Sequence, residues 1–286
     1  FNHAVTPLIQ SALGGYNVCI FAYGQTGSGK TFTMEGSEGQ LAVIPRTVDL
    51  LFDSVKNYKR IGREYEIRAT LLEIYNEVLY DLLNPEATDL EIRMVSASSK
   101  TDTDVYVSNI TEKIAENGQQ LRALMDAAKR NRATACTVGN ERSSRSPHAI
   151  TRLQLIRVQE GKQEKCVGTV NLVDLAESES PKTSTRMEEK KKIKRSLSEL
   201  TNVIMTILNK QEHVPYRNFK LTHLLMVLMP ALGGNSKTLM VINVSPLKDC
   251  YGESLKSLCF AASVNSIKMT RVRKNRYLNN VTTSSA

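Results

Sequence analysis

The run Gly24-Gln25-Thr26-Gly27-Ser28-Gly29-Lys30-Thr31 constrains this chain more than any other stretch. It fits G-x-x-x-x-G-K-[ST] with every required residue present. Glycines let the backbone curl so that successive N–H groups face a polyphosphate. Lys30 is placed to reach the β- and γ-phosphates, and the Thr31 hydroxyl to ligate Mg²⁺. The flanks agree. Asn17–Ala22 reads as a short buried strand, and the loop hands over to a helix N-terminus, where anions are favoured. Such a strand–loop–helix unit demands a layered α/β fold and is expected to hold a nucleoside triphosphate.

Strand and helix patterns alternate along the rest of the 286 residues. Tyr65–Tyr75 reads as a strand. Gln119–Thr134 reads as a helix with Leu121, Leu124, Met125 and Ala128 on one face. Ile150–Val158 and Cys166–Val173 read as two strands joined by a polar turn. Ile193, Leu197, Leu200, Ile204, Ile207 and Leu208 follow helical spacing, as do Leu221, Leu224, Leu225 and Leu228. Thr238–Val244 reads as a strand and Glu253–Met269 as a last helix. The alternation predicts a mostly parallel central sheet with helices on both faces. Nothing marks an internal boundary, so one domain over residues 1–270 is expected, followed by a basic and then polar tail over 271–286.

Net charge is +9, which predicts attraction to a polyanion without saying which. The longest apolar run, Leu224–Ala231, is interrupted by Pro230 and too short to cross a bilayer, so no membrane partner is expected. Cys19, Cys136, Cys166, Cys250 and Cys259 are scattered, with no C-x-x-C pair. They suggest neither zinc nor a disulfide framework, and fit a reducing cytosolic or nuclear setting. The four histidines show no metal-ligand spacing. No signal peptide is visible, and the opening Phe1 suggests a fragment or a processed product.

Three further segments carry chemistry. Asn140-Glu141-Arg142-Ser143-Ser144-Arg145-Ser146 is hydroxyl-rich and precedes a strand, so it could close over Mg²⁺ and a γ-phosphate; alone, it also suits a solvated loop. Asp174 ends the apolar strand Val170–Val173, where a phosphate-loop enzyme holds its metal, although a helix-capping role is open to it too. Lys182, Arg186, Lys190, Lys191, Lys192, Lys194 and Arg195 form a basic stretch, and Arg217, Lys220 and His223 a second. Any one of these lysines is accounted for by a solvated helix start. Together, following a nucleotide switch, they suggest a polyanionic track gripped according to the nucleotide.

These residues resemble the kinesin motor domain. The phosphate loop, a first switch at Asn140–Ser146 with His148, and a second at Asp174–Glu179 occur in that family's order. Ser196-Leu197 through Val203-Ile204, His213-Val214-Pro215-Tyr216-Arg217 and Leu232–Thr238 match as well. Glu73–Leu83 and Lys274–Asn280 are closest to the C-terminal-motor, minus-end-directed group of the non-claret disjunctional type. The resemblance spans essentially the whole chain. It implies ATP and Mg²⁺ as ligands, with Gly24–Thr31 on the nucleotide and Thr31, Ser144 and Asp174 at the metal. Ser143 and Ser144 would close on the γ-phosphate, and Arg145 would pair with Glu179 to latch the switches. Lys182, Arg186, Lys190, Lys191, Lys192, Arg195, Arg217, Lys220 and His223 would face tubulin. The implied partner is therefore the microtubule rather than nucleic acid, and the chain lacks an interleaved aromatic platform for bases. The implied location is the cytoplasm, on the microtubule cytoskeleton and its spindle. A homodimer would form through an upstream coiled coil.

Departures from that pattern bear on turnover. Glu177 stands where the second switch carries glycine. At about 5 Å and an effective dielectric of about 20, its repulsion of each phosphate charge costs roughly 3 kcal/mol. Pro147 adds one residue before the strand at His148, which would flip the strand's side-chain register unless the loop absorbs it. Lys194 replaces an asparagine and Phe219 a serine. The family's first strand, bearing R-x-R-P, is absent, which would leave Thr238–Val244 with an unpaired edge. Two readings follow. The chain is an ATP-hydrolysing microtubule motor domain, a microtubule-stimulated ATPase; or it is a microtubule-binding pseudo-motor with impaired turnover.

Overall fold

The computed structural model describes residues 1–95, 104–138, 148–159, 164–176, 187–225, 234–267 and 271–278. The phosphate-loop strand β1 (Asn17–Gly24) lies inside a sheet, flanked by β5 (Glu164–Asp174) on one side and β6 (Lys237–Asn243) on the other, both parallel to it. Beyond β5 the pairing turns antiparallel through β4 (His148–Gln159), β2 (Arg63–Tyr75) and β3 (Val78–Asp81). The order is β6-β1-β5-β4-β2-β3, with Lys113–Ile114 added on β2 and β7 (Arg276–Leu278) on β5. The sheet is therefore mixed. Parallel pairing, expected for most of it, is confined to the three strands that carry the phosphate loop. The antiparallel half arises because β4 and β5 form a hairpin, and an antiparallel pair needs no crossover helix.

Side chains alternate between the two faces with the period of a strand. From β1, Cys19 and Phe21 enter one core, while Val18, Ile20 and Ala22 enter the other. Leu72 and Ile74 of β2 and Val173 of β5 join the first core; Ala69, Leu71, Val170 and Leu172 join the second. The first core is roofed by α5 (Met187–Leu208) and α6 (Tyr251–Asn265), the second by α1 (Thr6–Leu13), α3 (Val43–Lys59) and α4 (Gly118–Val138). The helical spacings at Leu121 and Ala128 and at Leu197, Leu200 and Ile204 are all buried as read. Helices on both faces are borne out. Helix α3 was not among the helices read from the sequence, although Val48, Leu51 and Val55 recur at helical spacing; Thr47, Val48 and Leu51 supply its buried stripe.

Edge strand β6 pairs with β1 alone among the described residues. The segment after α6 folds back: Asn275 donates from its amide nitrogen to the Asn17 side-chain oxygen (2.8 Å) and to the Val167 carbonyl (3.1 Å), which seats β7. Cys19, Cys166, Cys250 and Cys259 are free thiols. No helix among the described residues is long and apolar enough to cross a membrane.

Close approach of α1 to the sheet depends on Gly168 of β5. A Cβ there would lie 1.9 Å from the Ala12 carbonyl oxygen. Gly168→Ala should lower stability by about 1–3 kcal/mol, the ordinary cost of overpacking, read as a lowered urea midpoint at unchanged m-value.

Candidate nucleotide site and basic face

Strand β1 delivers its chain to the C-terminal edge of the sheet, and the loop turns there into α2 (Lys30–Met34). Two glycines make the turn possible. Gly24 runs so close to β6 that a Cβ would fall 2.2 Å from the Asn243 carbonyl oxygen, and Gly29 adopts φ 91°, a left-handed conformation that favours glycine. Ser28 ties the loop to itself, its hydroxyl donating to the Gln25 carbonyl (2.7 Å).

Lys30 is only 6% exposed, and its ammonium donates to the carbonyls of Gly24 and Gln25 at 2.9 Å each. The Thr31 hydroxyl donates to Asp174 Oδ2 at 2.7 Å. Register explains that meeting: Ala22 of β1 lies opposite Asp174, the last residue of β5. The other carboxylate oxygen, Asp174 Oδ1, is buried without a hydrogen-bond partner among the described residues, and Gln25 Oε1 shares that state. Burial pushes the Asp174 carboxyl above its usual range, with Glu35 adding to the effect; the Thr31 hydrogen bond, Arg132 and Lys30 oppose it. A buried carboxylate with an unsatisfied oxygen beside a threonine hydroxyl is the hard, oxygen-only donor set that suits Mg²⁺. Around it stand two ion pairs, Lys129 with Glu35 (2.9 Å) and Arg132 with the buried Glu73 (3.3 Å).

His148 opens β4 and is 3% exposed. Its Nδ1 accepts from the Ala176 N–H (3.0 Å), and its Nε2 lies 3.0 Å from Ser196 Oγ on α5. His148 and Ile150 both face the α5 side of the sheet. Sequence reading set His148 beside the first switch but did not find its bonds to Ala176 and Ser196; its parity with Ile150 in an alternating strand was the usable signal for the face it occupies.

Of the basic residues, Arg195 is exposed on α5, with its guanidinium 5.6 Å from the centre of the Phe219 ring. Phe219 precedes the short helix Lys220–His223 and gives it no side-chain cap. Glu77, at the β2–β3 turn, supplies one instead, accepting from the Lys220 N–H at 2.7 Å. Arg195 and the Tyr216–His223 segment are thereby brought to one face. His223 differs from the expected cation. Burial, then Arg217 and Lys220, lower its pKa, leaving Arg217 and Lys220 as the charges of that segment. Lys190, Lys191, Lys192 and Lys194 belong to α5, but their side chains lie outside the described residues. Ser143, Ser144, Arg145, Pro147, Glu177, Glu179, Lys182 and Arg186 lie outside them as well.

Burial, then the charge of Lys30, lowers the His148 pKa from 6.5 to about 3. A base whose folded pKa is depressed stabilises the neutral-pH fold and loses that contribution as pH falls below its unfolded value. Between pH 7 and pH 5 the unfolded chain takes up the proton first, at a cost of about 2 kcal/mol. His148→Gln should flatten the stability-against-pH curve over that interval, measured by urea unfolding at several pH values.

A sequence profile of the kinesin motor domain matches residues 1–267. The chain is 66% identical to the protein claret segregational of Drosophila melanogaster over 99% of its own length and 39% of that protein's. It is 42% identical to the carboxy-terminal kinesin 2 of Xenopus laevis, over 95% of this chain and 43% of that one. It therefore spans about two fifths of the length of these relatives. Among solved structures, the motor domain of the Kar3-like kinesin from Ashbya gossypii aligns with TM-score 0.75 at 38% identity, covering 92% of this chain and 79% of that one. A structure described as a fast kinesin aligns with TM-score 0.87 at 33% identity, covering 99% and 80%. A profile match over nearly the whole chain, with the phosphate loop and Asp174 assembled on one sheet edge, shows that this chain belongs to the kinesin motor-domain family.

Proposed function

We propose that this chain is the ATP-hydrolysing motor unit of a microtubule-based motor, in the cytoplasm on the microtubule cytoskeleton. The observation that carries the reading is the meeting of Lys30, Thr31 and Asp174 at the end of β1. ATP would lie along the loop, with the backbone N–H groups of Gly27–Thr31 on its phosphates. Lys30 would exchange the carbonyls of Gly24 and Gln25 for phosphate oxygens. Thr31 and Asp174 would hold Mg²⁺, with Ser144 as a further ligand; the ion supplies charge neutralisation when bound. Ser143 and Ser144 would close on the γ-phosphate, and Arg145 would latch to Glu179.

The track is an acidic polymer. Arg195, Arg217 and Lys220 on the face described here, with Lys182, Arg186, Lys190, Lys191 and Lys192, would meet tubulin; His223 would add a neutral ring. Association should weaken with salt, since exposed charges are screened beyond about 8 Å at physiological ionic strength. A coiled coil outside this chain would pair two such units.

Microtubule-stimulated ATP turnover tests the proposal. The parent chain should hydrolyse ATP faster with microtubules than without, and should cosediment differently in ADP and in a non-hydrolysable ATP analogue. Nucleotide-independent cosedimentation without turnover would instead establish the pseudo-motor, a reading favoured by Glu177 in the second switch; Glu177→Gly should then restore turnover. Lys30→Ala should weaken nucleotide binding by roughly 10- to 100-fold, as expected when hydrogen bonds from a charged group are lost. Fluorescent-nucleotide titration reads that change directly.

A further inference from the structure

We infer that His148 is a positioning residue that ties the nucleotide end of the sheet to helix α5 through Ser196. The inference rests on the nucleotide reading of Lys30, Thr31 and Asp174.

The hydrogen-bond network assigns the tautomer. Nδ1 accepts the Ala176 N–H, so it carries no proton. The neutral ring must then carry its proton on Nε2, which makes Nε2–H the donor to Ser196 Oγ. From Asp174 onward the groups on this route are buried: Asp174, His148 and Ser196 at 3% exposure, Leu175 and Ala176 at 1% or less. The result is a short path of ordinary bonds. Thr31 holds Asp174, Asp174 is two residues from Ala176, Ala176 holds His148, and His148 holds the buried Ser196 of α5. Arg195, one residue before Ser196, is exposed. A displacement of the chain after Asp174 must therefore either carry the ring and α5 with it or break one of two buried hydrogen bonds. Leaving such groups unpaired costs about 1–3 kcal/mol each, so the linked movement is the cheaper outcome.

A side chain that merely filled space would need neither the ring's donor nor its acceptor. Asparagine at 148 places its carbonyl oxygen near the position of Nδ1 but does not reach Ser196, and alanine at 196 removes the acceptor while leaving the ring in place. Hydrogen exchange along α5 is read in the full chain, with and without a non-hydrolysable ATP analogue and Mg²⁺. The parent should show an analogue-induced change of exchange over Ser196–Leu208. In Ser196→Ala and His148→Asn that change should shrink at least about threefold, the scale of one lost hydrogen bond, while analogue affinity in Ser196→Ala stays within about twofold. Ser196→Thr, which keeps the hydroxyl oxygen, should retain it. The double variant should respond no less than either single one, because both remove the same link.

A full parental response in Ser196→Ala overturns the inference, as does additive behaviour of the two substitutions. So does an Nδ1–H tautomer of His148 by nitrogen NMR, a reading that needs no nucleotide. Failure of the functional proposal looks different. A parent that binds the analogue and responds in α5 yet shows no microtubule-stimulated turnover leaves the link standing and removes the motor. A parent that does not bind the analogue removes both.

Discussion

The parallel pairing of β1 with β5 is the constraint on which the site depends. Because the two strands run the same way in a register that sets Ala22 opposite Asp174, both chains leave the sheet at the same edge. The phosphate loop and the acidic residue are 143 positions apart in sequence, yet their side chains meet in a single hydrogen bond. A one-residue slip would turn Asp174 to the opposite face and put Val173 beside Thr31, so register here is a requirement of the chemistry as well as of the two cores. The third parallel strand, β6, adds the close approach at Gly24, and the Asn243 amide donates to the Thr33 hydroxyl (2.7 Å), which braces α2 from the other side.

Much of this was legible in the residues. The phosphate loop, its preceding strand and the acidic strand end were read from pattern alone, because each is a local signal: glycines at fixed spacing, then an apolar run closed by Asp. Helices α4, α5 and α6 were legible for the same reason. What escaped depends on groups distant in sequence. Glu77 is an ordinary turn residue until the fold brings Lys220 against it, and the pattern that set His148 beside the first switch gave no sign that Ala176 and Ser196 close on its two nitrogens. The sense of the sheet escaped as well. Alternating strands and helices suggest parallel pairing, but the β4–β5 hairpin reverses the direction of half the sheet, and its short polar turn was a local clue that the broader alternation obscured.

Charge in this region is buried in quantity, and the arrangement limits its cost. Lys30 and Asp174 both stand where desolvation disfavours an ion. Each is held by partners of its own neighbourhood: the loop carbonyls for Lys30, the Thr31 hydroxyl for one oxygen of Asp174. A cation would take over the second set of bonds and also satisfy Asp174 Oδ1, unpartnered among the described residues. Phosphate oxygens would take over the first set, so at Lys30 binding would replace hydrogen bonds rather than create them from unpaired groups. The net gain per contact is then modest, and the long-range terms gain weight. Here they favour an anion, since Lys30 is buried where screening by salt is weak. His148 stays neutral beside it, as a second cation at that depth would cost more than its two hydrogen bonds return. The neutral ring can therefore serve as donor and acceptor at once, which an imidazolium with two N–H groups could not do for the Ala176 N–H.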